Sequence, residues 1–272
     1  MKTRIISGAA LILIVAALFW GQLYVPICLV VAAAIMGAMG VFEILYNTKL
    51  CESKALVTLA LTPTLVTPFV MMGYLKISLE FVYTAYALVV FLFVLRLHSK
   101  LELKSIVSTL VLPVFISFAF GSVVCVTQFG EVGLFYILAV LCWSALADTG
   151  AYFIGVCFGK HKMAKVISPK KSWEGFVGGM LSGLIGILLL CLLYDKAYGF
   201  KVNYLVMLLI TPVFVALGVL GDLSASIIKR KCGIKDFGKL IPGHGGVMDR
   251  FDSILMITPL FIQVITNINI IK

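Results

Sequence analysis

The chain has 272 residues, 62% of them hydrophobic and 12% charged, with a formal net charge of +10 and a mean hydropathy of +1.13. A soluble domain carries about 25% charged residues, so this composition excludes an ordinary soluble protein and points to the bilayer; no nucleic-acid partner is expected. The seven cysteines, at positions 28, 51, 125, 142, 157, 191 and 232, show neither zinc-knuckle nor redox spacing, and their odd number argues against complete disulfide pairing.

A membrane helix needs roughly 20 apolar residues. In chain order, nine such segments are predicted: about 5–22, 25–45, 55–73, 77–95, 106–125, 134–158, 174–194, 203–221 and 253–271. Met1-Lys2-Thr3-Arg4 ahead of the first reads as the flank of an uncleaved helix rather than of a signal peptide. Pro63, Pro68, Pro113, Pro212 and Pro259 fall inside segments, which membrane helices tolerate when neighbours satisfy the released carbonyl. Gly175, Gly179 and Gly183 share one helix face and predict close helix packing without chemistry. The expected architecture is an all-α integral membrane protein of about nine helices. It is a single polytopic domain over 1–272 with a polar cavity facing the cytoplasm, and its catalytic region lies at about 144–252.

Alternate loops divide the 22 basic residues 18 to 4. The positive-inside rule then puts the N-terminus and the loops 159–173 and 222–252 in the cytoplasm and the C-terminus outside. Nine charged residues crowd into Ser226–Asp252, against 34 in the whole chain. Topology and lipid contact explain surplus lysines such as Lys160, Lys162 and Lys165. They do not explain Asp222, Asp236, Asp249 and Asp252. Asp148 lies within the sixth segment, at about 15 Å depth given a rise of about 1.5 Å per residue. An acid at that depth costs about 3 kcal/mol and is expected to face a polar cavity or a cation.

Carboxylates at one depth repel unless a cation lies between them, and hard divalent ions take carboxylate oxygen and substrate phosphate. Asp222 and Asp249 are the expected pair. Lys and Arg neutralise phosphate oxygens, and Gly245 and Gly246 allow backbone N–H groups to approach an anion. His244 is a phosphate donor or a proton shuttle. Taken together, these residues indicate a membrane enzyme or carrier handling phosphate at the cytoplasmic face.

The stretch SIIKRKCGIKDFGKLIPGHGGVMDRFD resembles the signature S-x-x-K-R-x(4)-K-D followed by H-G-G-x-x-D-R-x-D. That is the mark of the phosphatidate cytidylyltransferases (CDP-diacylglycerol synthases), and Ser226, Lys229, Arg230, Lys235, Asp236, His244, Gly245, Gly246, Asp249, Arg250 and Asp252 fill it without departure. The stretches GDLSAS and ISPKKSWEG are also similar to family stretches, and length and hydropathy fit the bacterial members. The resemblance implies an inner-membrane enzyme that condenses CTP with phosphatidic acid to CDP-diacylglycerol and pyrophosphate. It further implies a divalent cation, normally Mg²⁺, on Asp222 and Asp249, and a homodimer. On this reading Lys229, Arg230, Lys235 and Arg250 neutralise phosphates, and Ser168, Lys170 and Lys171 surround the lipid phosphate or the triphosphate. Asp148 lines the cavity, and Asp236 and Asp252 orient basic residues.

Two alternatives remain at this level. A CTP-dependent polyprenol or phytol kinase would share the charged site but move the γ-phosphoryl group to an alcohol. A transporter of phosphorylated metabolites would carry charge along its whole path and often two related halves. Here intramembrane charge is confined to one end and the halves do not match.

Overall fold

The structure is a computed structural model that describes residues 24–97 and 101–271, together with Leu13, Ala17, Leu18 and Gly21. Nine helices are described. They are α1 (Ile27–Phe42), α2 (Lys54–Met71), α3 (Leu79–Leu97), α4 (Leu103–Cys125), α5 (Glu131–Leu141), α6 (Ala147–Phe158), α7 (Trp173–Tyr198), α8 (Tyr204–Lys231) and α9 (Met248–Asn267). A π turn, Glu43–Asn47, prolongs α1, and another, Cys142–Leu146, fuses α5 and α6 into one continuous span.

Among the described residues seven helices are long and apolar enough to cross a membrane, so the chain is a multi-pass membrane protein. Nine spans were expected. The expected first, 5–22, lies outside the described residues but for Leu13, Ala17, Leu18 and Gly21. The last, α9, falls short because its first turns carry Asp249, Arg250 and Asp252. Two further corrections concern the basic loops. Residues 159–173 hold a small antiparallel hairpin, β1 (Lys162–Ala164) with β2 (Ser168–Ser172), in an otherwise helical fold. In addition, α8 runs ten residues beyond its expected end at 221. Asp222, Ser226, Lys229 and Arg230 therefore stand on one helical face, at i, i+4, i+7 and i+8, rather than in a loop.

The chain divides into two compact units, Met1–Cys125 with Lys231–Phe251, and Val126–Arg230 with Asp252–Lys272. In the first, α2 packs against α1, α3 and α4 around Val30, Leu56, Ile116 and Phe120. Two of its helix prolines, Pro63 and Pro113, cost little because other groups take the carbonyls they release. Thr62 Oγ1 donates to Leu59 O at 2.8 Å, four residues before Pro63, and Tyr86 Oη donates to Thr109 O at 2.5 Å, four before Pro113. The exposed Phe81, Leu88, Leu92 and Leu95 leave α3 apolar on its outer face, as lipid requires.

In the second unit Trp143 is fully buried. It stacks on Phe214 at 4.5 Å, meets Phe261 edge-on at 4.8 Å, and donates its Nε1–H to Thr211 Oγ1 at 3.0 Å. The glycine face of α7 does what its spacing predicts. A Cβ at Gly175 would lie 2.7 Å from Ala151 O, and one at Gly179 would lie 2.9 Å from Ala147 O, so α7 seats directly on the α6 backbone.

Candidate active site

Five predicted residues meet within the second unit. Asp148, in the first turn of α6, lies within electrostatic range of Lys171, near the end of β2. Ser172, the last residue of β2, caps α7 by accepting the Gly175 N–H at 3.1 Å, which fixes Lys171 at the helix entrance. Glu174 pins the other strand: its carboxylate accepts the N–H groups of Lys160 and His161 at 3.2 Å and pairs with His161 Nδ1 at 2.5 Å.

Lys171 Nζ thus lies 2.5 Å from Asp222 Oδ2, with both side chains about a quarter exposed. No hydrogen bond of acceptable geometry accompanies this ion pair, and Nζ itself is buried. An ammonium has three donors, so Lys171 keeps donor capacity toward the site. Asp148 is exposed, and its electrostatic neighbours are Lys171 and Asp222.

The approach of α8 to α9 is equally close. A Cβ at Gly221 would collide with Asp252 O, so only glycine lets the two backbones meet there. That brings Asp252 into range of Asp222, Lys229 and Asp148. Burial first, and then the Asp222 carboxylate, push Asp252, which precedes the apolar stretch 253–271, up to about 7. Lys229 is buried among these groups, and Ser226 is buried one turn from Asp222. Arg230 is exposed, and its Nε–H reaches Ile167 O at 3.4 Å, a long contact.

The first unit holds Asp249, also buried. Its Oδ2 accepts N–H groups from Phe237 at 2.8 Å and Gly246 at 3.0 Å. Gly245 adopts φ +84°, and a Cβ there would stand 2.8 Å from Asp249 Oδ2. Such a conformation costs a non-glycine residue stability. His244 is half-buried, with its N–H donated to Ile241 O at 2.9 Å in the same turn. The N–H of Gly246, expected to meet a substrate anion, is given to Asp249. Lys235, Asp236 and Arg250 are exposed, and among the described residues Asp236 forms no ion pair. On β2, Ser168 is half-buried and Lys170 exposed. Among the described residues, no three His, Cys, Asp or Glu side chains converge as a ready-made metal site.

Glu43 is absent from the expected set. It is 5% exposed, and its carboxylate accepts the N–H groups of Val247 and Met248, each at 3.0 Å. It therefore caps α9 from α1, some two hundred residues away. Charge-assisted hydrogen bonds of this kind contribute about 1.5–3 kcal/mol each. A carboxylate inside an apolar run was the available signal, the same one that drew attention to Asp148.

The fold and these charges define a polytopic membrane protein with a cluster of carboxylates and lysines in one unit and a glycine turn around a buried carboxylate in the other. The sequence profile of the cytidylyltransferase family matches residues 2–268, and the chain belongs to that family. Over 128 residues it is 45% identical to the phosphatidate cytidylyltransferase of Staphylococcus haemolyticus (strain JCSC1435), covering 47% of this chain and 48% of that protein. The protein of the same name from Staphylococcus saprophyticus is 46% identical over the same shares. That from Haemophilus influenzae is 43% identical over 129 residues, covering 47% of this chain and 45% of the relative. The matched part spans about half the length of these curated relatives.

Proposed function

We propose that the chain transfers a cytidylyl group from CTP to phosphatidic acid, giving CDP-diacylglycerol and pyrophosphate. The observation that carries the reading is the cluster of Lys171, Asp222, Asp148, Asp252 and Lys229. It joins cation and carboxylate chemistry in a membrane protein of the cytidylyltransferase family. The relatives' shared name supports the same reaction.

Two anionic substrates must be brought together, one from water and one from the bilayer. The lipid phosphomonoester carries roughly −1.5 to −2 charge near neutral pH, by analogy with phosphoserine. Its oxygen is already ionised, so no strong general base is needed. That oxygen attacks the α-phosphorus of CTP in line, a new P–O bond forms, and the bond to the β-phosphate oxygen breaks to release pyrophosphate. The protein contributes positioning and charge stabilisation. Lys171 offers its buried ammonium to phosphate oxygens, Lys170, Ser168 and Arg230 belong to the same unit, and Lys235 and Arg250 are assigned to phosphate neutralisation. Asp252, within electrostatic range of Lys229, is assigned to orient it. His244 is assigned to phosphate contact.

The donor chemistry here, carboxylate oxygen, suits a hard cation such as Mg²⁺. The family resemblance assigns it to Asp222 and Asp249, one in each unit, and its charge would neutralise the triphosphate. The same reading makes the protein a homodimer of the bacterial inner membrane, with the N-terminus and active site cytoplasmic and the C-terminus outside. The test is incubation of purified protein with CTP, phosphatidate and Mg²⁺; formation of CDP-diacylglycerol supports the reading and its absence refutes it.

A further inference from the structure

Glu43 sits at the start of the π turn that ends α1, within an otherwise apolar span. Burying a carboxylate there is costly, so its partners must repay the desolvation. They are two of three consecutive amides, the third being given to another acid. Gly246 N–H goes to Asp249, while Val247 and Met248 N–H go to Glu43. The backbone also folds closely around the Glu43 carboxylate. A Cβ at either Gly238 or Gly246 would collide with its oxygens.

The far end of the same π turn provides a second hold. Asn47 Nδ2 donates to Phe237 O at 2.8 Å, and Phe237 in turn gives its N–H to Asp249 at 2.8 Å. Both amides that Asp249 accepts are therefore anchored to this one turn, Phe237 through Asn47 and Gly246 through its neighbours on Glu43. π turns of this kind often occur at functional sites.

We propose that Glu43 is a positioning residue, which clamps the His244–Asp249 turn and thereby sets the orientation of the Asp249 carboxylate. A mere helix cap would stabilise α9 and leave the chemistry alone. A positioning role couples Glu43 to turnover through the order of residues 237–249. The activity arm of the test rests on the cytidylyl-transfer reading; the exchange arm does not.

Glu43→Gln keeps the size but replaces one acceptor oxygen with an NH₂ that faces a backbone N–H. Glu43→Asp keeps the charge on a shorter arm. Each variant is purified in detergent and compared with wild type by amide hydrogen exchange over 237–249 and by turnover of CTP with phosphatidate. Glu43→Gln is expected to elute as a folded protein, to exchange the amides of 246–248 at least tenfold faster, and to lose at least tenfold in kcat. Glu43→Asp is expected to fall between it and wild type in both. Folded Glu43→Gln with turnover within twofold of wild type would overturn the proposal. So would lost turnover with unchanged exchange, and so would failure of both variants to fold, which would assign Glu43 to folding alone. If wild type itself made no CDP-diacylglycerol, the functional reading would fall. Exchange at 246–248 would then decide the clamp: acceleration in Glu43→Gln sustains it, and unchanged exchange overturns it.

Discussion

Lys171 and Asp222 form a half-buried ion pair, with Nζ 2.5 Å from Oδ2, that joins the hairpin to the charged end of α8. The two residues are 51 positions apart, and each belongs to a different basic stretch of the sequence. On the proposed reading the pair would supply an ammonium for phosphate and a carboxylate for a cation at one point.

Lys171→Ala is therefore expected to lower kcat/KM at least tenfold, about 1.4 kcal/mol of transition-state stabilisation. Lys162→Ala, at an exposed position on the other strand of the same hairpin, should stay within twofold. Combining Lys171→Ala with Asp222→Asn should cost much less than the sum of the single losses, because neighbours in contact are not additive. Steady-state kinetics on the four proteins checks this. Equal losses at 162 and 171 would erase the distinction between site and surface lysines.

Asp222→Asn and Asp249→Asn are each expected to remove most activity, with the double variant scarcely worse and partial recovery at raised Mg²⁺ or Mn²⁺. The structure separates them in stability. Asp249 accepts two backbone N–H groups through one oxygen, so loss of its charge should also cost about 1–2 kcal/mol, the difference between charged and neutral hydrogen bonds. Thermal melting in detergent should show a lower Tm for Asp249→Asn than for Asp222→Asn. The reverse order would contradict the turn described here.

Gly221→Ala should be severe and Gly218→Ala mild. The first places a Cβ against Asp252 O, whereas the second meets only Ile257 Cδ1 at 3.3 Å and Trp143 O at 3.4 Å. Overpacking costs about 1–3 kcal/mol, and here it also moves Asp252 relative to Asp222. Melting and activity measured together should both fall for Gly221→Ala, and a near-wild-type Gly221→Ala would refute the close backbone approach.

The 18-to-4 division of basic residues predicts orientation. A reporter fused after Lys272 should read as external and one inserted near 165 as cytoplasmic; a cytoplasmic C-terminus would refute the assigned topology.

Hydropathy located the spans well because each apolar run is long; the segment expected at 55–73 is α2, Lys54–Met71. Hydropathy did not show where helices end. At Asp222 the apolar run stops, yet the helix continues to Lys231, since Lys, Arg, Ser and Ile are compatible with helix once the chain leaves the hydrocarbon. The spacing in S-x-x-K-R was itself helical, and reading 222–252 as loop overlooked it. The hairpin was not legible because KMA and SPKKS carry little strand preference; it is held by Glu174, His161 and the Ser172 cap. Glu43 was visible only as a carboxylate inside an apolar run, and its role was not legible. Its partners are backbone amides of Val247 and Met248, and backbone partners leave no residue type in the sequence to point back to it.

The central claim is most directly tested with CTP labelled at either the α or the γ phosphate, supplied to purified protein with phosphatidate and Mg²⁺. Cytidylyl transfer predicts that α label appears in the lipid and that γ label leaves in pyrophosphate. Appearance of γ label in the lipid, or of no label at all, would contradict it.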